Sequence, residues 1–349
     1  MKRFDRVLIT GCGGMLGNAI YPYFRKRCAE VIATDKTLSE PWLSELDVRD
    51  DAAVRRLVAK FRPELILHLA AETDLEYCET HADVADDVNS ISTRRIAELA
   101  RAQGSTLVYI STAGVYDGGK TDEPYTEEDP ARPLMVYGQS KFDGEEHVRA
   151  VGGAYYVVRA GWMVGGGPAK DHKFVSKILQ QIADGRQVLH AVDDRWGTPT
   201  YTHDFANNVF RLLDTEQYGT YHMVCEGSGT RHDVAEEIVA ACGRGDIRVE
   251  RVTSDYFAAE YFAPRPVSEM LINANLQRLG INLMRPWRIA LREYIHAEYR
   301  HLLSAEAASE RWNQVERRGG DRRGVAHGAG YTGPERRNLM DRRAIRLDP

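Results

Sequence analysis

Short apolar runs alternate with amphipathic stretches along the first part of the chain. Between the runs, segments such as DDAAVRRLVAKF place their apolar residues at the period of an α-helix. Strands that are apolar on both faces and separated by helices indicate a parallel sheet covered on both sides. The pattern therefore predicts a doubly wound α/β domain over residues 1–160. Its predicted strands are RVLIT (Arg6–Thr10), EVIAT (Glu30–Thr34), LILHLA (Leu65–Ala70), TLVYIST (Thr106–Thr112) and AYYVVRA (Ala154–Ala160).

Beyond residue 160 the alternation is less regular. Helical periodicity returns in FVSKILQQIADG, HDFANNVFRLLD and RHDVAEEIVAACG, and a last helix is expected from Trp287 to about Leu303. QVLHAV and TYHMV have the composition of short strands. We expect residues 161–305 to form a smaller α+β region that packs on the first domain and exchanges strands with it.

The C-terminal segment, residues 306–349, differs in composition from the rest of the chain. From Arg311 to Pro349 it contains ten arginines and five acidic residues, and it repeats one motif as ERRGGDRR and ERRNLMDRR. Being rich in Gly and Arg and poor in aliphatic side chains, it cannot bury enough surface to offset the entropy lost on ordering. We predict a disordered, Arg-rich tail.

The composition of the whole chain narrows its class. Of 349 residues, 43% are hydrophobic and 28% charged, no apolar run could span a bilayer, and the N-terminus has no signal-peptide pattern. Five scattered cysteines form no CxxC pair, which argues against disulfides and against a zinc or other metal site. Without residues 311–349 the net charge is −10, because ten of the 46 basic and five of the 51 acidic residues lie in that segment. We expect a cytoplasmic protein whose partners include neither nucleic acid nor a membrane.

A glycine-rich turn, TGCGGMLG, follows the first predicted strand and opens a helix. Gly11, Gly14 and Gly17 let the backbone approach a pyrophosphate, and the helix N-terminus offers free N–H groups and partial positive charge. Asp35 ends the second strand at the spacing expected for an acid that binds the adenosine ribose, which favours NAD over NADP. Lys36, next to it, could instead attract a 2′-phosphate, so the preference for NADH is slight.

The segment VYGQSK places Tyr137 and Lys141 four residues apart, on one face of a predicted helix. A cation beside a phenol favours phenolate. A ketone that receives a hydride needs a positioned proton donor, and a tyrosine tuned in this way is suited to that role. An exposed helical turn would show the same spacing, so the pair gains meaning only from the motifs around it.

The order and spacing of these motifs resemble the extended short-chain dehydrogenase/reductase family. The resemblance covers about residues 5–300 and, within that family, is greatest to the dTDP-4-dehydrorhamnose reductases. It implies that Tyr137 donates a proton, that Lys141 lowers the pKa of Tyr137 and holds the nicotinamide ribose, and that Thr112 is the hydroxyl partner. Ser111 points to the opposite face of the strand. The resembling stretches are HLAAETDLEYCE, ISTAGVYDG, PYTEEDPARPLMVYGQSK, VVRAGWMVG, DDRWGTPT and RPVSEMLI.

The resemblance also implies an NAD(P)H site and a nucleotide-sugar site. Asp47 is placed at the adenine edge, although a helix N-cap would explain it almost as well. The cofactor-binding set is Gly11, Gly14, Met15, Leu16, Gly17, Asp35, Lys36, Asp47, Val48, Leu69, Ala70, Ala71, Tyr137 and Lys141. The substrate-binding set is Thr73, Thr112, Trp162 and Arg195. Trp162 could stack on a sugar or base, or belong to the core, and Arg195 could hold a diphosphate, or pair with Asp193.

The chain departs from the resemblance at two places. Ala113 stands where these reductases commonly have an acid, and Ala113–Gly114 lacks the Asp–Glu pair that dehydratases need, which argues against dehydration. Epimerases tolerate an alanine there. Lys173–Phe174 stands where Asn-Phe is usual.

We therefore expect an NAD(P)H-dependent reductase of the C4 ketone of a nucleotide-linked deoxysugar. Two alternatives stay open. One is a sugar-nucleotide epimerase that retains its NAD. The other is a non-catalytic regulatory subunit, since some relatives of these reductases are regulatory partners of methionine adenosyltransferase. A homodimer also stays open.

Overall fold

The computed structural model describes residues 4–309 of the chain. Within them the strands are β1 (Arg6–Thr10), β2 (Glu30–Asp35), β3 (Leu43–Glu45), β4 (Leu65–His68), β5 (Thr106–Thr112), β6 (Tyr155–Ala160), β7 (Trp162–Val164), β8 (Val188–Val192), β9 (Trp196–Gly197), β10 (Pro199–Tyr201), β11 (Gly219–His222), β12 (Gly229–Thr230), β13 (Arg248–Val252) and β14 (Ser268–Glu269).

The α-helices of the same part of the chain are α1 (Met15–Arg25), α2 (Asp51–Phe61), α3 (Leu75–Thr80), α4 (Ala82–Asp86), α5 (Ser92–Gln103), α6 (Val136–Val151), α7 (Phe174–Ala183), α8 (Thr202–Leu213), α9 (Arg231–Ala241), α10 (Ala274–Arg278), α11 (Trp287–Glu298) and α12 (Ala305–Ser309). A π-helical segment spans Asp87–Ile91, and short 3-10 helices span Ala113–Val115, Ser254–Phe257 and Arg300–Leu302. None of the helices in residues 4–309 is long and apolar enough to cross a membrane.

Seven strands form one parallel sheet in the order β11-β6-β5-β4-β1-β2-β3. Val7 of β1 pairs with Val31 on one side and with Leu65 on the other. The chain begins in the middle of the sheet, winds to one edge and then returns to build the other. This confirms the doubly wound Rossmann sheet predicted from the sequence. The strand order reverses between β1 and β4, and open sheets of this kind bind ligands at the carboxyl side of that point.

Both faces of the sheet are buried, as the apolar strands predict. Val7 and Ile9 of β1 belong to one hydrophobic cluster, together with Phe24 of α1, and Leu8 belongs to another, together with Val58 of α2. Successive side chains of a strand point to opposite faces, so alternate residues of β1 pack under different helix layers.

The region after residue 160 adds small sheets and one strand of the main sheet. β7 pairs with β10, β8 pairs with β13, and β9 lies between β12 and β14. β11 pairs with β6, Tyr221 lying opposite Val158, so this region adds one strand to the main sheet. An exchange of strands between two domains stays a prediction. The described residues form one compact unit, and a domain boundary at residue 160 stays a prediction.

The C-terminal helices differ from the prediction. α11 ends at Glu298, and a 3-10 turn and α12 follow it. Ala307 of α12 is buried, and the N–H of Ser304 donates to the carbonyl oxygen of Cys242 at 2.9 Å. The predicted start of the tail at residue 306 is therefore too early, because small residues allow this last turn to pack beside Gly243. The predicted disorder of residues 310–349 lies outside the described residues.

Candidate active site

In the glycine-rich turn between β1 and α1, backbone segments lie too close together for side chains. Gly11 has a φ of +66°, and a Cβ on it would lie 2.3 Å from the backbone nitrogen of Ala70. A Cβ on Gly17 would lie 2.1 Å from the carbonyl oxygen of Cys12. Gly14 is the N-cap of α1 and supplies no capping side chain, so the first N–H groups of this helix are available to an anion. The turn fits the pyrophosphate of a dinucleotide.

Other predicted cofactor residues surround this turn. Leu69, Ala70 and Ala71 follow β4, which is adjacent to β1, and the N–H of Leu69 donates to the carbonyl oxygen of Thr10 at 3.0 Å. Met15 and Leu16 open α1. The structure therefore brings these residues together at the carboxyl edge of the sheet.

Asp35 contacts the glycine turn directly. Its Oδ2 accepts a hydrogen bond from the backbone N–H of Gly13 at 2.9 Å, and its Oδ1 accepts one from the N–H of Thr37 at 3.1 Å. A carboxylate has about four acceptor positions, so Asp35 can still accept hydrogen bonds from a ribose. Lys36, beside it, is exposed.

Lys170 also reaches the glycine turn, and sequence reasoning missed it. Its ammonium donates to the carbonyl oxygen of Gly13 at 3.0 Å and pairs with the Glu40 carboxylate at 3.0 Å. Lys170 lies in the glycine-rich loop after β7, far from the turn in sequence. No local motif marks such a contact, although the run GGGPAK could have been noted as a loop able to fold back.

Asp47 does not cap helix α2, the alternative role considered for it. The N-cap of α2 is Asp50, whose side chain accepts the N–H of Ala53 at 2.9 Å. Asp47 instead binds the guanidinium of Arg49, with 2.6 Å between Oδ2 and Nη2, and this hydrogen bond is the largest cause of its lowered pKa. The N-cap interpretation of Asp47 was wrong. Val48, the next predicted residue, is buried.

Thr112 and Tyr137 meet at the carboxyl end of β5. Tyr137 lies in the first turn of α6, and the Thr112 hydroxyl is near enough to its phenol to lower the pKa of that phenol. α6 comes this close because of a glycine: a Cβ on Gly138 would lie 2.1 Å from the carbonyl oxygen of Gly114. Thr112 also accepts the N–H of Gly114 at 3.1 Å, which fixes its rotamer.

Lys141 is buried one turn along the same helix, with 3% of its surface exposed. Its ammonium lies 4.2 Å from the ring centroid of Tyr109, a distance that permits a cation–π interaction. Burial lowers the pKa of Lys141 to about 7, and the charge of Glu145 opposes that shift. Near neutral pH this side chain therefore exists in both charged and neutral forms.

The pKa of Tyr137 moves in the opposite direction from the one predicted. Burial raises it to about 12, the hydrogen bond from Thr112 lowers it in part, and the charges of Cys78 and Glu269 raise it further. The prediction that Lys141 lowers this pKa was wrong for the protein alone. A phenolate in the buried site loses hydration, and a lysine that is itself only partly charged does not compensate for that loss.

A buried ion pair lies beneath the site. Glu145 has no exposed surface and pairs with Arg159, with 2.6 Å between Oε2 and Nη2. The hydroxyl of Ser111 donates to the same carboxylate at 2.5 Å. Ser111 therefore faces away from Thr112, as its place in the strand predicts. These hydrogen bonds fix the relative position of β5, β6 and α6.

Asn89 was not identified from the sequence. It lies in the π-helical segment Asp87–Ile91. Its side-chain amide accepts the N–H of Glu72 at 2.9 Å and donates to the carbonyl oxygen of Glu72 at 3.0 Å. Its amide also donates to the hydroxyl of Ser140 at 3.0 Å. Asn89 thereby joins the loop after β4 to α6. A π-helical turn often marks a functional site, but its extra residue leaves no sign in the hydrophobic pattern.

Trp162 connects two further charged residues that sequence reasoning missed. Its indole N–H donates to Oε2 of Glu269 at 2.8 Å, and the guanidinium carbon of Arg231 lies 3.6 Å from the centroid of its ring. Burial is the largest cause of the lowered pKa of Arg231, about 10, and of the raised pKa of Glu269. Glu269 lies in RPVSEMLI, so that stretch was the available signal for this carboxylate.

The other two predicted substrate-binding residues are Thr73 and Arg195. Thr73 is exposed in the loop after β4. Arg195 forms its ion pair with Asp194, at 3.3 Å, whereas Asp193 pairs with Arg251 at 3.6 Å. The alternative considered for Arg195, an ion pair with Asp193, was therefore wrong. Adjacent side chains on an extended chain point apart, and the bend here brings Asp194 to the guanidinium.

One group in the described residues has the composition of a metal site: His232, Asp233 and Glu236, on α9. The side chain of Asp233 accepts the N–H of Thr230 at 2.8 Å and completes a capping box at the start of α9. The helix cap accounts for this carboxylate.

Comparison with known proteins agrees with this geometry. The family described as RmlD substrate binding domain matches residues 5–300. A dTDP-4-dehydrorhamnose reductase from Streptomyces griseus is 35% identical over 295 residues, which cover 82% of this chain and 92% of the relative. Methionine adenosyltransferase 2 subunit beta from Rattus norvegicus is 30% identical over 295 residues, covering 82% and 86%.

The fold is shared with a solved relative over most of the chain. The crystal structure of dTDP-4-dehydrorhamnose reductase from Bacillus anthracis str. Ames, in complex with NADP, superposes with a TM-score of 0.76 at 29% identity and covers 84% of this chain and 99% of that one. The match includes both the glycine turn and the region after residue 160. The chain therefore belongs to the RmlD substrate binding domain family, within the extended short-chain dehydrogenases/reductases.

Proposed function

We propose that the protein is an NAD(P)H-dependent reductase that acts on the C4 ketone of a nucleotide-linked deoxysugar. The observation that carries this proposal is the proximity of Thr112 and Tyr137, at the same edge of the sheet as the glycine turn. Family membership over residues 5–300 and 35% identity to the Streptomyces griseus reductase support it.

In this mechanism the bound dinucleotide would supply the hydride. The Thr112 hydroxyl holds the ketone oxygen, and Tyr137 gives its phenolic proton to that oxygen as negative charge develops on it. A pKa of about 12 keeps Tyr137 protonated at neutral pH, which is the form that a proton donor needs. Lys141, with a pKa of about 7, then offsets the charge of the phenolate from the next turn of α6.

For the cofactor we propose a site at the glycine turn, with NADH slightly favoured. Asp35 supports NADH because a carboxylate repels a 2′-phosphate. Lys36 and Lys170 act in the opposite direction, so both cofactors are expected to bind. The Bacillus anthracis relative binds NADP. The proposed contacts are Gly11, Gly14, Met15, Leu16, Gly17, Asp35, Lys36, Asp47, Val48, Leu69, Ala70, Ala71, Tyr137 and Lys141.

For the nucleotide sugar we propose a site that extends from Thr112 towards Thr73 and Trp162. Arg231 lies on the face of Trp162 and makes no ion pair within residues 4–309. Arg195, by contrast, is already paired with Asp194. Arg231 is therefore better placed than Arg195 to meet a diphosphate.

The experiment is to incubate the purified protein with NADH or NADPH and a panel of 4-keto sugar nucleotides. A reductase consumes NAD(P)H in proportion to the sugar that is reduced, and it purifies largely without nucleotide. An epimerase retains its NAD and interconverts sugars with no change in absorbance at the NADH band. The second outcome would contradict the proposal.

A regulatory subunit is the other candidate, because the chain is 30% identical to methionine adenosyltransferase 2 subunit beta of Rattus norvegicus. Such a protein would bind the dinucleotide and reduce none of the sugars. The pair of Thr112 and Tyr137 favours catalysis over this function. We further propose a cytoplasmic location and a homodimer, and the elution volume of the same preparation measures the oligomeric state.

A further inference from the structure

Glu269 is a carboxylate beside Thr112 that the mechanism above does not use. It ends β14, whose partner is β9. Its Oε1 lies 3.6 Å from the point where a Cβ on Gly114 would be, and the hydroxyl oxygen of Thr112 lies 3.5 Å from the same point. The methyl carbon of Met135 lies nearer to that point, at 2.9 Å. The two oxygens are therefore both near Gly114, at the border of the place where the substrate carbonyl is expected.

Within residues 4–309, one oxygen of the Glu269 carboxylate accepts a hydrogen bond and the other does not. The indole N–H of Trp162 donates to Oε2 at 2.8 Å, whereas no group within residues 4–309 donates to Oε1. Partly buried carboxylates in proteins are normally saturated with donors, because an unmatched acceptor loses hydration without compensation. Oε1 is therefore suited to accept a hydrogen bond that a ligand brings.

Trp162 is itself fixed in place. A Cβ on Gly197 would lie 2.2 Å from Cε2 of its ring, so the indole packs directly on that backbone. Arg231 covers the ring at 3.6 Å. The Glu269 carboxylate is thus positioned by a rigid indole. A positioned acceptor can discriminate between ligands, because it does not shift to bind a ligand whose donor lies elsewhere.

We propose that Glu269 determines the sugar specificity of the site by accepting a hydrogen bond from the ring hydroxyl next to the C4 ketone. This inference rests on the proposed reductase function. Neighbouring oxygens on a sugar ring are about one hydrogen-bond length apart. In the proposed arrangement the ketone oxygen is at Thr112 and Tyr137, and the C3 hydroxyl faces Oε1.

The test compares two substrates in four proteins. The substrates are a 4-keto-6-deoxy sugar nucleotide and its analogue without the C3 hydroxyl. The wild type should prefer the first by about 10–10²-fold in kcat/KM, the range for a hydrogen bond to a charged group. Glu269→Ala should bring the ratio of the two kcat/KM values to nearly one. Trp162→Phe, which keeps an aromatic ring and removes the indole N–H, should reduce the ratio in part.

Glu250→Gln is the control, because Glu250 pairs with Arg248 and His190 on an exposed strand. It should keep the wild-type preference. Glu269→Gln keeps the shape of the side chain and serves if the alanine variant does not fold. A partial loss of preference is expected from it, because the amide is neutral but still forms hydrogen bonds with a hydroxyl. If wild type reduces the hydroxylated sugar and Glu269→Ala slows both substrates by the same factor, the inference is overturned and the reductase function stands. If wild type reduces no 4-keto sugar, both fail.

Discussion

The ammonium of Lys170 lies 3.0 Å from the carbonyl oxygen of Gly13, although the two residues are 157 positions apart in the sequence. The loop after β7 therefore folds over the glycine turn. The same ammonium lies 3.2 Å from the hydroxyl of Ser39. It is thus on the side of the turn where Asp35 would meet the adenosine ribose, close to the position of a 2′-phosphate.

The first prediction concerns this contact. Lys170→Met should lower the affinity for NADPH by about tenfold, because a nearby positive charge attracts a phosphate. The affinity for NADH should fall by less. Quenching of protein fluorescence by each cofactor measures both constants, with Lys60→Met, a change on the exposed face of α2, as the control. Equal losses for the two cofactors would show that Lys170 only supports the fold.

A second prediction concerns Asp35. Asp35→Asn keeps an acceptor for the Gly13 N–H, seen at 2.9 Å, and removes the negative charge. The ratio of NADPH to NADH affinity should rise by about tenfold, since the repulsion of the 2′-phosphate is lost. Titration of both cofactors against the two proteins measures the ratio. A wild type that binds only NADPH would contradict the proposed preference.

Tyr137→Phe tests the proton donor. Turnover should fall by about 10²–10⁴, the usual contribution of a positioned general acid. Cofactor affinity should change little, because the ring and the backbone of α6 stay in place. Steady-state kinetics and a cofactor titration on the same preparation give both numbers. Wild-type turnover in this variant would exclude Tyr137 as the donor.

The fourth prediction concerns Lys141 and pH. In the unfolded chain this lysine titrates at its ordinary pKa, 10.5, whereas in the folded protein its pKa is about 7. Between these two pH values the lysine is charged in the unfolded chain and neutral in the folded protein. Below pH 7 it is charged in both states, so burying the charge lowers the free energy of unfolding by its full amount. This loss of stability disappears as the pH rises towards 10.5. Lys141→Met should raise the free energy of unfolding by a few kcal/mol at pH 7 and by much less at pH 10.

Urea denaturation of both proteins from pH 6 to pH 10 measures this difference. Since only one residue differs, the other titrating groups cancel in the comparison. A difference between variant and wild type that is constant over the range would show that Lys141 is not held in a site that disfavours its charge.

The last prediction concerns the glycine that lets α6 approach β5. Gly138→Ala should lower the free energy of unfolding by about 1–3 kcal/mol, because its methyl group would lie 2.1 Å from the carbonyl oxygen of Gly114. Turnover should fall as well, since Tyr137 is displaced. Gly245→Ala is the matched control, with no atom within 4 Å of the added carbon. Thermal unfolding and kinetics of the two variants should therefore differ clearly.

The sequence was sufficient for most of the Rossmann sheet because its strands are apolar runs that tolerate burial on both faces. It was not sufficient for β3, the three-residue edge strand Leu43–Glu45, which is too short to show a period. The π-helical turn at Asn89 lies inside an otherwise helical stretch. It changes the hydrogen bonding of the backbone without changing which side chains are apolar.

The candidate site divides in a similar way. Thr112, Tyr137 and the glycine turn lie in local motifs, so short stretches of sequence identify them. Glu269, Arg231 and Lys170 reach the site from distant parts of the chain, and only the fold brings them there. The pKa of Tyr137 was mispredicted because spacing reveals the nearby lysine but not the loss of hydration that accompanies burial.

β11 has a consequence for how the protein can be divided. A fragment that stopped at residue 160 would leave β6 as the sheet edge, with the backbone groups of Tyr156–Arg159 unpaired. Bare, apolar strand edges recruit strands from other molecules. The fragment that ends at residue 160 is therefore expected to aggregate. A gene fusion or a split reporter should instead divide the chain at an exposed loop elsewhere.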